Sequence, residues 1–188
     1  MQLSVATTSY NSEATLEEFY LRMKDTATKA GIKNLEIVVV DDGSTDRSIE
    51  IGERLARKDN NFTFIELSRN FGHHKGLMTA IQHTTGDFVF LIDSDLEEAP
   101  ENLLLFLKSQ NKEKCDVVFG LQNNRRGGLS ERLFGLIFFF IFKAITGLNF
   151  PQNVQTSRLM NRAYADALLE HKEQHVYLIG LWEITGFE

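Results

Sequence analysis

The chain has 188 residues, 43% of them hydrophobic, and a formal net charge of -6. This length and apolar content suit one domain with its own core and exclude a disordered polymer. The acidic balance excludes a general nucleic-acid binder, which needs a broad basic face. The lone Cys115 excludes an internal disulfide, fits a reducing compartment and reads as structural.

No basic stretch followed by an apolar core opens the chain, so no signal peptide is expected. No apolar run approaches the ~20 residues of a spanning helix. Leu3 to Thr7 reads as a first strand and Thr8-Ser-Tyr-Asn-Ser-Glu13 as a polar loop, with Ser12 placed to cap a helix over residues 14–29. Leu35 to Val40 is a second strand, whose Ile-Val-Val-Val core marks it as buried in a parallel sheet. Asp41-Asp-Gly-Ser-Thr-Asp46 follows it, and Ser44 or Thr45 can cap the helix that carries Ile49, Leu55 and Ala56. Phe62 to Leu67 is a third strand. The loop Ser68 to Gly76 contains Arg69, His73, His74 and Lys75, and a helix starting at Leu77 ends near Gly86. His73 and His74 read as surface residues.

Phe88 to Ile92 is a short buried strand that ends on Asp93-Ser94-Asp95. Two carboxylates a few ångströms apart repel, and a hard divalent cation shared with a diphosphate removes that repulsion. The competing reading is a solvated turn after the strand. Pro100 opens a helix with Leu103, Leu104, Phe106 and Leu107 on its buried face, and Val117 to Gly120 is the next strand. Strand and helix alternate throughout, which implies right-handed crossovers and a mainly parallel sheet covered on both faces. Beyond Gly120 come a polar stretch with Arg125 and Arg126, an apolar segment Leu133 to Leu148, a short strand Arg158 to Met160, and a helix Tyr164 to Leu169. The apolar segment, flanked by Arg132 and Lys143, suits a buried core, a partner surface or a membrane surface.

Four segments, in order and with matching spacing, resemble the family 2 glycosyltransferases of GT-A fold. They are Thr8 to Glu13, Asp41 to Asp46, Arg69-Asn-Phe-Gly72 with Lys75-Gly76, and Asp93-Ser-Asp95, and they cover most of residues 1–120. Asp93-Ser-Asp-Leu-Glu-Glu-Ala-Pro-Glu101, Arg158-Leu-Met160 and Gly186-Phe187 look most like the branch that uses polyprenyl phosphates. The resemblance implies a Rossmann-like α/β sheet over 1–120, then an acceptor-side segment over 121–188 that continues into a further stretch. It implies transfer of a sugar, mostly with inversion, from a nucleotide-sugar donor to a polyprenyl phosphate at the inner face of the membrane, and it leaves room for a homo-oligomer.

By the same resemblance, Thr8, Tyr10, Glu13, Asp42, Lys75, Asp93 and Ser94 hold the donor. Asp93, Asp95 and Glu97 hold Mg²⁺ or Mn²⁺, with Asp93 and Asp95 the catalytic pair. Arg125, Arg126 and Arg158 meet the acceptor phosphate. From the residues alone, Asp42 is equally a helix cap and Lys75 a solvated loop lysine. Two departures stand out. Gln122 replaces an arginine, and Thr156 replaces the carboxylate that is the branch's candidate base, so no base is assigned. Two alternatives follow: a nucleotide-sugar-binding module without catalysis, or a transferase with a saccharide acceptor. A dinucleotide oxidoreductase is disfavoured, because no Gly-x-Gly-x-x-Gly follows the first strand.

Overall fold

The computed structural model describes residues 1–121, 154–173 and 178–187. Arg125, Arg126 and the apolar segment Leu133 to Leu148 lie outside them. The elements are β1 (Gln2–Ser9), α1 (Leu16–Lys29), β2 (Asn34–Asp41), α2 (Ser48–Lys58), β3 (Phe62–Glu66), α3 (His73–Gln82), β4 (Phe88–Leu91), a 3-10 turn (Pro100–Asn102), α4 (Leu103–Glu113), β5 (Val117–Leu121), β6 (Val154–Asn161), α5 (Arg162–Leu169) and α6 (Leu178–Ile184).

The strands form one sheet in the order β3-β2-β1-β4-β6-β5. β1 runs parallel to β2 and β4, and β2 parallel to β3. β6 is antiparallel to both its neighbours. The short strand expected at Arg158 to Met160 is thus eight residues long and stands between β4 and β5. Its pairing is set by the pleat: Leu159 lies beside Phe90 and Met160 beside Val89, so each apolar side chain continues a core already begun by β4.

That alternation builds two cores. Leu3, Val5, Ile37, Val39, Phe90, Ile92 and Leu159 face α1, α2 and α4. Ala6, Val38, Val40, Val89, Leu91 and Met160 face α3, α5 and α6. Strands buried on both faces explain the unbroken apolar runs of β2 and β4. Phe90 is fully buried and meets Phe106 of α4 edge to face, with centroids 5.4 Å apart.

Helix starts differ from the sequence reading. The Ser12 hydroxyl bonds the Tyr10 carbonyl, and Ser12 supplies only its own carbonyl to Thr15 and Leu16. α2 is opened by neither Ser44 nor Thr45. The Asp46 carboxylate accepts from the Ser48 N–H at 2.9 Å and the Ser48 hydroxyl at 2.5 Å. α3 begins at His73 rather than Leu77, directly after Gly72 at φ +98°.

α1 is tied to the turn beyond Asp95 by a two-pronged ion pair, Arg22 Nε to Glu101 Oε1 at 2.9 Å and Arg22 Nη2 to Glu101 Oε2 at 2.6 Å. The guanidinium holds the Glu101 carboxyl down at about 2. Both side chains are a third or more exposed, so the pair contributes only about 0.5–1 kcal/mol. A carboxyl lowered on folding stabilises above its unfolded value and loses that contribution as pH falls through its folded one. Glu101→Gln is therefore expected to destabilise at pH 7. The difference from the parent in urea unfolding should shrink as pH falls from about 4.5 towards about 2. A pH-independent difference would assign the loss to packing.

Candidate active site at the carboxyl edge of the sheet

The parallel strands β1, β2 and β4 end side by side, where ligands of open α/β sheets gather. Two of the loops there are laced together. Asn11, at φ +50°, receives a hydrogen bond on Oδ1 from the Thr45 N–H at 2.9 Å, and its own N–H donates to the Ser44 hydroxyl at 2.9 Å. The Ser12 N–H donates to Ser48 Oγ at 2.7 Å. The Glu13 N–H donates to Asp46 Oδ2 at 3.0 Å, while Glu13 Oε2 accepts from the Arg47 N–H at 3.1 Å. Burial raises the Asp46 carboxyl, but the hydrogen bonds from Ser48 and the Glu13 backbone outweigh it and leave it lowered. Tyr10 is 51% exposed at the tip of the first loop.

The two aspartates closing β2 do different work. Buried Asp41 turns its carboxylate onto the Ser44 N–H at 2.8 Å and the Ser44 hydroxyl at 2.6 Å. Asp42, 3% exposed, accepts from the Phe71 N–H at 2.7 Å and the Gly72 N–H at 3.0 Å. It therefore fixes the loop that enters α3, not the start of α2. Gly43, at φ +76°, lies against the same loop: a Cβ there would stand 2.7 Å from the backbone of Arg69 and Asn70. Arg69 stacks over Phe71 at 4.5 Å, and exposed Lys75 lines a shallow groove with both.

β4 delivers the carboxylate pair. The Ser94 hydroxyl is buried on the Thr8 carbonyl at 2.6 Å, which ties β4 to β1 and turns that side chain inward. Asp95 is exposed, and its Oδ1 accepts from the Glu97 N–H at 2.9 Å across Leu96, which sits at φ +65°. A leucine held there is strained, a cost that clusters at functional sites. Asp93 Oδ1 is buried without an aligned hydrogen bond, and His73 Nε2 stands 3.3 Å away. His73 Nδ1 lies 3.0 Å from the Thr8 hydroxyl. His73 is thus exposed as expected, yet it lies against the acidic pair. Its contact with Asp93 raises its pKa against the opposing effect of burial, helped by the charges of Asp95 and Asp42.

Among the described residues, no group of three or more His, Cys, Asp or Glu side chains could hold a metal ion. Asp93 and Asp95, two hard carboxylate donors just after β4, still fit a Mg²⁺ or Mn²⁺ that takes its other ligands from water and a diphosphate. Glu97 is exposed beside them.

The last contributors come from β6. Glu98 accepts from the Ser157 N–H at 3.2 Å, one residue past Thr156. Burial raises its carboxyl, and the charge of Asp93 adds to the rise. Arg158 is 2% exposed beneath the Trp182 ring, 3.0 Å from its centroid, and burial lowers its guanidinium to about 9. Arg158 and Trp182 together line a pocket with Phe119, Tyr164 and Phe187. The sequence reading missed Glu98, Asp46, Asn11 and the role of His73. The position of His73 directly after a glycine at a strand-to-helix turn was the available signal.

Residues 4–169, from β1 to the end of α5, match the family described as Glycosyl transferase family 2. A Mycobacterium tuberculosis (strain CDC 1551 / Oshkosh) protein named among the glycosyltransferases is 42% identical over 187 residues, 100% of this chain and 54% of that protein. An undecaprenyl-phosphate 4-deoxy-4-formamido-L-arabinose transferase of Pseudomonas paraeruginosa (strain DSM 24068 / PA7) is 29% identical over 177 residues, 94% of this chain and 52% of that protein. The chain spans about half the length of these curated relatives. Among solved structures, the mannosyltransferase PcManGT from Pyrobaculum calidifontis in complex with GDP-Man and Mn²⁺ matches with a TM-score of 0.61 at 21% identity, covering 89% of this chain and 46% of that one. The expected GT-A architecture is borne out, and the chain belongs to glycosyl transferase family 2.

Proposed function

We propose that this chain carries the donor site of a metal-dependent, inverting glycosyltransferase that moves a sugar from a nucleotide-sugar to a polyprenyl phosphate at the inner face of a membrane. The observation that carries the reading is the Asp93–Asp95 pair at the end of β4, tied to β1 through Ser94 and Thr8 and flanked by the loop that Asp42 holds. The names of relatives supply the acceptor class.

A divalent ion, when bound, supplies positive charge against the departing diphosphate. Asp93 and Asp95 would hold it, while Tyr10, Glu13 and the loop fixed by Asp42 seat the base and ribose. A phosphate acceptor is already ionised and needs little proton removal, which accommodates Thr156 at the place of the expected base. Among the described residues no helix is long and apolar enough to cross a membrane.

The test is thermal stability with a panel of UDP- and GDP-sugars, each with Mn²⁺ or with chelator. A true donor at about 100 times its dissociation constant stabilises by about 2.7 kcal/mol, or roughly 5–10 °C for a chain of this size. Product formation with lipid phosphates then separates an enzyme from a binding module. No metal-dependent shift with any donor would end the proposal.

A further inference from the structure

Asp93 would be of little use to a cation if its carboxylate were free to rotate, and the structure shows what restrains it. Nε2 of His73 faces Asp93 Oδ1 at 3.3 Å, and that oxygen is otherwise buried without an aligned partner. The other ring nitrogen is held by the Thr8 hydroxyl at 3.0 Å. Where that hydroxyl donates to Nδ1, the neutral ring carries its hydrogen on Nε2, the nitrogen that faces Asp93.

The backbone leaves the ring little choice of place. Asp42 grips the two N–H groups just before His73. One turn later α3 packs so closely on β1 that a Cβ on Gly76 would stand 2.6 Å from the Thr8 methyl. The His74 ring meets that of His73 edge-on, with centroids 5.7 Å apart.

We propose that His73 is a positioning residue for Asp93, fixing the carboxylate orientation that a divalent cation and a nucleoside diphosphate meet. The proposal rests on the metal-dependent donor site proposed above. Groups that hydrogen-bond a ligating carboxylate set its orientation, and their loss typically weakens metal affinity by about 10–100-fold.

The test is calorimetric titration of UDP and GDP into the parent, His73→Ala, His73→Gln and His73→Asn, each with Mn²⁺ and with chelator. The glutamine amide reaches the place of Nε2; the asparagine amide reaches only that of Nδ1. His73→Ala is expected to weaken Mn²⁺-dependent affinity at least about tenfold and to leave the metal-free affinity unchanged. His73→Gln should recover most of the loss and His73→Asn should not. Equal binding by all four proteins overturns the proposal. Recovery by asparagine as good as by glutamine also overturns it, because the Thr8 contact would then be the one that matters. A loss of the same size with and without metal makes His73 a loop support only. If the alanine variant does not fold, the glutamine and asparagine pair decides. A parent that shows no Mn²⁺-dependent binding overturns the donor-site reading itself, and this inference with it.

Discussion

Asp95→Asn is expected to abolish the increase in UDP or GDP affinity that Mn²⁺ brings and to lower sugar transfer by about a thousandfold, while the protein keeps its thermal stability. The size follows from the charge. A bound cation stabilises the departing diphosphate by several kcal/mol, and each 1.36 kcal/mol is a factor of ten in rate. The choice of asparagine separates two roles of one side chain. Asp95 Oδ1 also accepts from the Glu97 N–H and so supports the turn in which Leu96 holds φ +65°. Asparagine keeps that acceptor and removes only the charge. Asp95→Ala removes both, so it should show the same loss of metal response together with a lower melting temperature. If the asparagine variant retains full Mn²⁺-dependent affinity, Asp95 is a turn residue and the metal lies elsewhere.

Gly43→Ala is expected to cost about 2–4 kcal/mol, the sum of a left-handed backbone for alanine and a methyl driven into fixed neighbours. Those neighbours are the main chain of Arg69 and Asn70, 2.7 Å from the added carbon. Main chain cannot swing away as a side-chain end can, and Asp42 anchors the same loop two residues on. For a chain of this size the melting temperature should fall by roughly 5–15 °C. Nucleotide affinity should fall with it, because the displaced loop leads into His73. Gly31→Ala is the control. Gly31 has nearly the same φ, +72°, but nothing within 4 Å of the added carbon, so only the backbone term of about 1–2 kcal/mol remains. Equal losses in the two variants would show that the close approach contributes nothing.

What could be read in advance was what depends on local pattern. Apolar runs bounded by glycine or aspartate gave β2 and β4 to within a residue, because a strand buried on both faces tolerates little else. The acidic pair was legible for the same reason: Asp93 and Asp95 directly follow such a run. The place of β6 was not legible. Nothing local in Gln155-Thr-Ser-Arg158 states that it will pair with β4 and β5 rather than lie outside them. Its neighbours are chosen by which core each face completes, a property of residues some seventy positions away. The caps failed through competition. Ser12 and Ser44 have the right chemistry for helix starts, but Tyr10 and Asp41 claim their hydroxyls first. The motif resemblance places Arg158 at the acceptor phosphate. Whether it is open or covered depends on Trp182, which arrives from α6.

The ladder pair at the far edge of the sheet has a wider consequence. Leu121 closes β5 and Val154 opens β6, and the two face each other as Cα partners. Since the strands are antiparallel, the chain departs and returns at neighbouring points of one rim, the rim that also carries Asp93. An excursion pinned in this way adds little to the free energy of the frame as it lengthens, about 0.6 kcal/mol for each doubling. The scaffold can therefore accept exchanged segments between those two residues without disturbing the strands that end at Asp41 and just before Asp93. What lies between Leu121 and Val154, and the strands that lead to Asp93, are in this sense separately evolvable, joined at a single rung.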